Sequence, residues 1–251
     1  MKVSGNTQIF GIMGCPVAHT MSPIMHNAAY EALGIQAVYI PFLVKPEDLG
    51  KATLSLRAMN ISGVNVTVPH KGGVIEFLDE LDASAKQIGA VNCIKFSGTI
   101  STGYNTDAKG FEESLLPLLK PHHTKALVLG TGGASKAVRY VLNKNRIPFL
   151  TVSRQDNSEK NNIRYEDIDE DIIWEYPIII NCTPVGMTPD EESQPAIPYH
   201  LLTKEHLLYD LVYKPAKTKF LEQGKKRGCT VKNGFDMLMI QAEENWRTWN
   251  S

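Results

Sequence analysis

The sequence predicts an α/β protein laid out in two halves, on three observations. Short β-rich apolar runs alternate with longer helical patterns, which argues for parallel α/β layers. The alternation is interrupted once, by a turn signal at Ser97-Gly98. It then restarts around a glycine-rich strand-to-helix turn, Gly130-Thr131-Gly132-Gly133. The 251 residues suit one large domain or two modest ones, with ample length to bury a core.

In the first half, Gln8–Met13 reads as a strand and Pro23–Leu33 as a helix ended by Gly34. Val38–Val44 is a strand and Pro46–Ala58 a helix. Val64–Val68 is a strand, and Gly73–Glu80 is expected in a helix. Val91–Phe96 and Thr99–Thr102 then form a hairpin or two edge strands. The halves meet near Tyr104–Gly110, with a helix expected over Lys109–Leu116. In the second half, Lys125–Leu129 is a strand, Ala134–Asn143 a helix and Phe149–Val152 a strand. Ile178–Asn181 and Leu207–Asp210 are two more strands. Between them, Thr183–Pro198 holds four prolines and several acidic residues and reads as an irregular loop. Asp236–Trp249 carries Met237, Leu238, Ile240, Ala242, Trp246 and Trp249 in a helical pattern.

Composition narrows the function classes. The formal net charge is −1, from 26 Lys+Arg against 27 Asp+Glu, which lacks the basic face of a nucleic-acid binder. The first residues, MKVSGNTQIFGIMG, do not read as a signal peptide. No apolar run approaches the roughly 18 residues of a membrane span. Cys15, Cys93, Cys182 and Cys229 are scattered without a CxxC, so neither zinc nor a disulfide framework is expected. His19 and His26 lie seven apart with no acidic or Cys partner nearby, a poor metal pattern. A reducing, cytoplasmic home is the expectation.

The clearest generic motif is Leu127–Ser135. Gly130 permits a tight turn, and Gly132 lets backbone N–H groups approach a pyrophosphate. Gly133 and Ala134 open the helix, whose N-terminus adds donors and a favourable dipole. The third motif position is Ser135 rather than Gly or Ala, and a plain connecting turn is the alternative. The next strand ends in Ser153-Arg154, where an NAD site usually has Asp or Glu. A guanidinium there suits a 2′-phosphate and so NADP. A solvent-exposed arginine is the alternative, and Asp156 lies nearby to oppose a phosphate.

Three polar motifs mark the first half. In Gly14–Pro23, Thr20 and Ser22 sit at a helix start and could cradle a carboxylate; simple capping by Ser22 explains the same pattern. In Asn65–Lys71, Asn65 and Thr67 share one face at the carboxyl end of a strand. Lys71 follows at the turn, where it could polarise a carbonyl or exchange a proton, or be a surface lysine. Gly89–Asn92 and Asn105-Thr106-Asp107 form the third. Asp107 could pair with Lys71 or serve as a helix N-cap.

Together these stretches resemble the shikimate dehydrogenases along nearly the whole chain. The matching motifs are CPVAHTMSP, NVTVPHK, GAVN, NTD, GTGGAS, NCTPVGM, DLVYKP and NGFDMLMIQA. Glutamyl-tRNA reductases and quinate dehydrogenases share part of the pattern; DLVYKP and Gln241-Ala242 favour the shikimate/quinate group. The resemblance implies an N-terminal α/β substrate-binding and catalytic domain, 1–106 with 235–251, and a Rossmann-like NADP-binding domain, 107–234. It implies NADPH-dependent, reversible reduction of 3-dehydroshikimate to shikimate in chorismate and aromatic amino acid biosynthesis. No metal is needed, and a monomer or homodimer is expected. Lys71 and Asp107 would be the catalytic pair. Thr20 and Ser22, helped by Tyr213, would hold the substrate carboxylate. Asn65, Thr67, Asn92 and Gln241 would hold the ring and its hydroxyls. Gly130, Gly132, Gly133, Ala134, Ser153 and Arg154 would line the dinucleotide, with Thr183, Val212, Gly234 and Met237 near the nicotinamide.

The chain departs from the family in places. Thr20 stands where Ser is usual, and Met21 replaces a polar residue. Ser153-Arg154-Gln155-Asp156 replaces a pattern that often reads Asn-Arg-Thr with a further cation. His70 replaces a Phe- or Tyr-like residue and reads as a neighbour of the catalyst. The rivals are a quinate or dual quinate/shikimate enzyme, possibly NAD-linked, and a non-catalytic NADP-binding regulator. The presence of both Lys71 and Asp107 argues against the regulator.

Overall fold

The computed structural model describes residues 3–18, 20–154 and 161–251. His19, Gln155 and Asp156 lie outside the described residues. The chain forms two compact units, Met1–Thr106 with Gln241–Ser251, and Asp107–Ile240.

The first unit runs β1 (Gln8–Gly14), α1 (Ser22–Ala32), β2 (Ala37–Leu43), α2 (Leu49–Ala58), β3 (Gly63–Val66), β4 (Glu80–Leu81), α3 (Ala83–Ile88), β5 (Cys93–Ser97) and β6 (Ile100–Tyr104). Its sheet has the order β2-β1-β3-β5-β6-β4. β1 lies parallel to both β2 and β3, with Phe10 opposite Tyr39 and Gly63. β5 and β6 form the antiparallel hairpin that Ser97-Gly98 predicts. They are interior strands, not edges, because the unpredicted β4 pairs with β6 beyond them.

The helix expected over Gly73–Glu80 is only a 3₁₀ turn, Gly73–Phe77, followed by β4. Asp79 explains the break. Its carboxylate accepts the Ser101 N–H at 2.8 Å and the Ser101 hydroxyl at 2.7 Å, while its own N–H goes back to the Ser101 carbonyl. Those bonds draw the chain alongside β6, a course no helix could keep. Asp82 then caps α3, accepting the N–H groups of Ser84 and Ala85, and Gly89 ends it at φ 66°. Six residues are too few for a period to show in sequence.

The second unit holds α4 (Thr106–Leu115, entered one residue before the division), β7 (Ala126–Leu129), α5 (Gly133–Lys144), β8 (Phe149–Ser153), β9 (Asn162–Arg164), α6 (Glu170–Glu175), β10 (Ile178–Asn181), β11 (Leu207–Asp210), α7 (Lys219–Lys226) and β12 (Thr230–Lys232). All described strands of its sheet run parallel, in the order β12-β11-β10-β7-β8-β9. Every residue of β7, β10 and β11 is buried, as expected for a parallel sheet covered on both faces. This is the doubly wound order of dinucleotide-binding folds, and it reverses direction between β7 and β10.

The terminal helix α8 (Phe235–Asn250) starts in the second unit and ends in the first. Its Trp246 and Trp249 complete an aromatic cluster with Phe10, Tyr30, Tyr39 and His26. Trp249 also donates from Nε1 to the Ile94 carbonyl at 3.0 Å. Glycine at 63 is required there, since a Cβ would overlap the Trp249 ring.

His26 is therefore a core residue, stacked on Tyr39 with centroids 4.3 Å apart. Burial lowers its pKa from 6.5 to about 4. A neutral buried imidazole contributes stability in full above pH 6.5 and loses it as pH falls toward 4, where the unfolded chain alone takes up the proton. At about 1.36 kcal/mol per unit, the expected loss is about 3 kcal/mol. Urea unfolding of wild type and His26→Phe at pH 7.5 and 4.5 measures it. The variant should lack most of the acid-side loss; equal slopes for both proteins would refute the assignment.

Candidate active site

Two hydroxyls close the loop after β1. Thr20 Oγ1 donates to Ser22 Oγ at 3.2 Å and accepts the Ser22 N–H at 3.3 Å. Capping by Ser22 is not what the structure shows. Helix α1 already includes Ser22, Met21 occupies the cap position, and no side chain caps the helix. The first N–H of the helix, that of Ser22, goes to Thr20 Oγ1, and Pro23 has none to give. The buried Ser22 hydroxyl instead accepts from Thr20.

From Tyr39 a chain of buried hydrogen bonds runs on through this unit. Tyr39 donates to Asn65 Oδ1 at 2.7 Å, and Asn65 Nδ2 donates to the Asn92 carbonyl at 3.0 Å. Asn92 Nδ2 donates to Thr106 Oγ1 at 2.9 Å, and Asn92 Oδ1 accepts the Thr106 N–H at 2.7 Å. Thr106 Oγ1 donates to Asn245 Oδ1 at 2.7 Å, and Asn245 Nδ2 donates to Gln241 Oε1 at 2.9 Å. Asn65, Asn92 and Gln241 are thus strung together, with Thr106 and Asn245 as the joints, and Thr20 and Ser22 form a separate hydroxyl pair. Burial holds the Tyr39 phenol well above its usual pKa, so it stays a neutral donor. Asn65 keeps a second amide hydrogen and a second lone pair beyond these bonds. Thr67 follows β3, half-buried, with its N–H on the Met13 carbonyl at 3.0 Å.

Lys71 ends the turn after β3 and is half-buried. Its carbonyl accepts the Val91 N–H at 2.7 Å, and the preceding His70 is buried with Nε2 2.7 Å from the Val44 carbonyl. The lysine's backbone is therefore held from both sides, and His70 has a structural partner of its own. Asp107 is buried in the first turn of α4. The helix begins at Thr106, so Asp107 is a helical residue and not the cap.

The second unit carries the dinucleotide motif at the reversal of its sheet. Gly130 ends the β7 turn at φ 104°, a left-handed conformation, and a Cβ there would come within 2.8 Å of Thr183 Cγ2 after β10. Gly132 is the α5 N-cap without a side-chain cap, and its missing Cβ faces open space. Gly133 and Ala134 form the first helical positions. Uncapped N–H groups opening on space fit a pyrophosphate. Ser135 is buried and donates to the Gly132 carbonyl at 2.7 Å, so the hydroxyl that departs from the generic motif satisfies itself within the turn.

Ser153 ends β8, buried, and its Oγ accepts from Asn162 Nδ2 at 3.1 Å. Arg154 follows, exposed. Thr183 N–H and Oγ1 both donate to Asn181 Oδ1, at 3.0 and 2.6 Å. Val212 is buried, with its carbonyl accepting the Gly234 N–H at 3.2 Å. Gly234 presses so closely on Leu211 that any Cβ would overlap its carbonyl. Met237 is buried on α8, and Tyr213 is half-buried.

One residue absent from the sequence-based set organises these turns. Asp210 ends β11 with no exposed surface. Its Oδ1 accepts from Val212 N–H and Asn181 Nδ2, both at 3.0 Å, and its Oδ2 from Thr218 Oγ1 at 2.5 Å. Burial pushes its carboxyl up to about 6 while the three donors oppose that. The signal for it was its place in DLVYKP; for Thr106, its place in NTD. Tyr39 and Asn245 lie outside every quoted motif.

Known proteins match the chain along nearly its whole length. A family model described as the shikimate dehydrogenase substrate binding domain matches residues 12–94. The shikimate dehydrogenase (NADP(+)) of Halothermothrix orenii is 41% identical, covering 97% of this chain and 91% of that protein. The one from Desulforamulus reducens is 37% identical, covering 99% and 91%. A crystal structure of shikimate 5-dehydrogenase from Thermus thermophilus in complex with NADP(H) and shikimate superposes with a TM-score of 0.85 at 32% identity, covering 97% of this chain and 93% of that one.

Proposed function

The chain belongs to the shikimate dehydrogenase family, and from that premise we propose how its own residues reduce 3-dehydroshikimate to shikimate, and run the reverse, with NADP(H). The reaction belongs to aromatic amino acid biosynthesis. The observation that carries the proposal is the buried chain of hydrogen bonds linking Asn65, Asn92 and Gln241, with the Thr20–Ser22 hydroxyl pair in the same unit, donors and acceptors of the kind a polyhydroxylated ring acid needs.

Thr20 and Ser22 hold the substrate carboxylate, with Tyr213. Asn65, Thr67, Asn92 and Gln241 hold the ring and its hydroxyls. When bound between these residues and the substrate, NADP(H) would supply the hydride chemistry at the ring ketone. Lys71 Nζ gives a proton to the oxygen as negative charge develops there, and takes one from the hydroxyl in the reverse direction. Asp107 is the second member of the catalytic pair. Gly130, Gly132, Gly133 and Ala134 present backbone donors to the pyrophosphate, and Ser153 and Arg154 engage the adenosine 2′-phosphate. Thr183, Val212, Gly234 and Met237 line the nicotinamide end. Residues 1–106 with 235–251 serve as the substrate domain and 107–234 as the cofactor domain. The enzyme works in the reducing cytoplasm as a monomer or homodimer, consistent with four cysteines that form no disulfide.

Nicotinamide absorbance with shikimate or quinate, each with NADP⁺ or NAD⁺, tests this directly. Turnover should be fastest with shikimate and NADP⁺. Arg154→Ala should raise the KM for NADP⁺ about 10- to 100-fold, the worth of one charge-assisted contact, and leave that for NAD⁺ within twofold. Quinate or NAD⁺ as the better substrate would move the chain to the rival dehydrogenase. Binding without turnover would leave the regulator.

A further inference from the structure

We infer that Asn245 is a positioning residue that fixes which end of the Gln241 carboxamide faces the substrate. The proposal rests on the substrate role given above to Gln241. A backbone N–H can only donate, and the Thr106 N–H points at one end of the Asn92 amide, 2.7 Å away. That end must be the oxygen, so the other end, 2.9 Å from Thr106 Oγ1, is the NH₂ donating to it. The Thr106 hydroxyl has a single hydrogen. Of its two acceptors, Asn245 Oδ1 at 2.7 Å is closer than Asn92 Oδ1 at 3.2 Å, which already holds the N–H. Asn245 therefore turns its oxygen to Thr106 and its NH₂ to Gln241, which must answer with Oε1.

One backbone N–H thus sets the sense of three side-chain amides in succession. Asn92, Thr106, Asn245 and Gln241 are all buried, where an amide turned the wrong way would set donor against donor. The outcome is that Gln241 keeps Nε2 as the end not committed to Asn245, a donor suited to lone pairs of a ring hydroxyl. Asn245 itself makes no substrate contact in this scheme. It lies one helical turn beyond Gln241 on α8, so the two side chains share a face.

Asn245→Asp reverses the relay with little change of shape. The carboxylate still accepts from Thr106 but has no hydrogen for Gln241 Oε1, so the glutamine turns over and gives up its Nε2. Asn245→Leu removes the relay altogether. For both variants the KM for shikimate should rise about tenfold, the worth of one hydrogen bond. The kcat should stay within threefold and the KM for NADP⁺ within twofold. Gln241→Ala combined with Asn245→Asp should be no worse than Gln241→Ala alone. A residue needed only for folding would lower kcat and the melting temperature and leave the KM for shikimate unchanged. That pattern, or full additivity in the double variant, overturns the inference while the family activity stands. Failure of the wild type to oxidise shikimate overturns the activity and the role of Gln241 together.

Discussion

Lys71→Ala is expected to lower kcat about a thousandfold, the middle of the range for losing a general acid or base, with the KM for NADP⁺ within twofold. The lysine's main chain is held by the Val91 N–H and by the anchored His70, so removing the side chain should leave the turn in place. Unchanged melting would confirm that the loss is chemical. Asp107→Asn should cost a similar factor if the carboxylate acts through the lysine. The double variant should then be little worse than either single one, because two residues acting as a unit are not additive. Added primary amines that restore turnover to Lys71→Ala and not to Asp107→Asn would separate the two roles. A kcat within threefold of wild type for Lys71→Ala would remove the lysine from the mechanism.

The second large effect is expected at Asp210. Replacing it with alanine leaves the Val212 N–H, Asn181 Nδ2 and Thr218 Oγ1 without their acceptor in a fully buried place. Each orphaned group costs about 1–3 kcal/mol, partly offset because a buried charge is removed with it. A net loss of about 3 kcal/mol follows, or about 10 °C in Tm for a chain of this size. The KM for NADP⁺ should rise as well, since Asn181 orients Thr183 and Val212 carries the contact to Gly234. Asp210→Asn keeps an oxygen for Val212 and can donate to Thr218, so its cost should stay under about 1 kcal/mol at neutral pH. It also tests the titration. The wild-type carboxyl, raised from 3.8 to about 6, favours the folded state fully below pH 3.8, and that contribution is lost as pH rises through 6. The asparagine variant should not show that loss. If both variants match wild type in Tm, the carboxylate is not what ties the turns together.

These two sites show where the sequence was informative. Lys71 and Asp107 stand in short motifs that the family resemblance marks as a catalytic pair. Asp210 ends an apolar strand, where a lone acid can be exposed, capping or buried, and only the neighbours say which. Tyr39 and Asn245 are further cases. A tyrosine inside a strand and an asparagine on a terminal helix carry no pattern of their own, and each gains its role from a partner dozens of residues away.

Local chemistry was enough for the alternation of strand and helix, the restart at the glycine-rich turn, and the polar residue types of the site. Those follow from the period of burial, backbone freedom at Gly130, and donor or acceptor character. The short elements β4, β9, α3, α6, α7 and β12 were beyond its reach, since a few residues hold no period and depend on pairing or caps. Pairing across the fold is what keeps Gly73–Glu80 from being a helix, because Ser101 claims Asp79 from the neighbouring strand. The fold also takes Ser22 into its helix instead of leaving it as the cap, and points the amides from Asn92 to Gln241 all one way. A hydrogen bond between distant residues takes its direction from the one group in the chain that cannot accept. Only the folded arrangement brings that group, the Thr106 N–H, to the amide it orients.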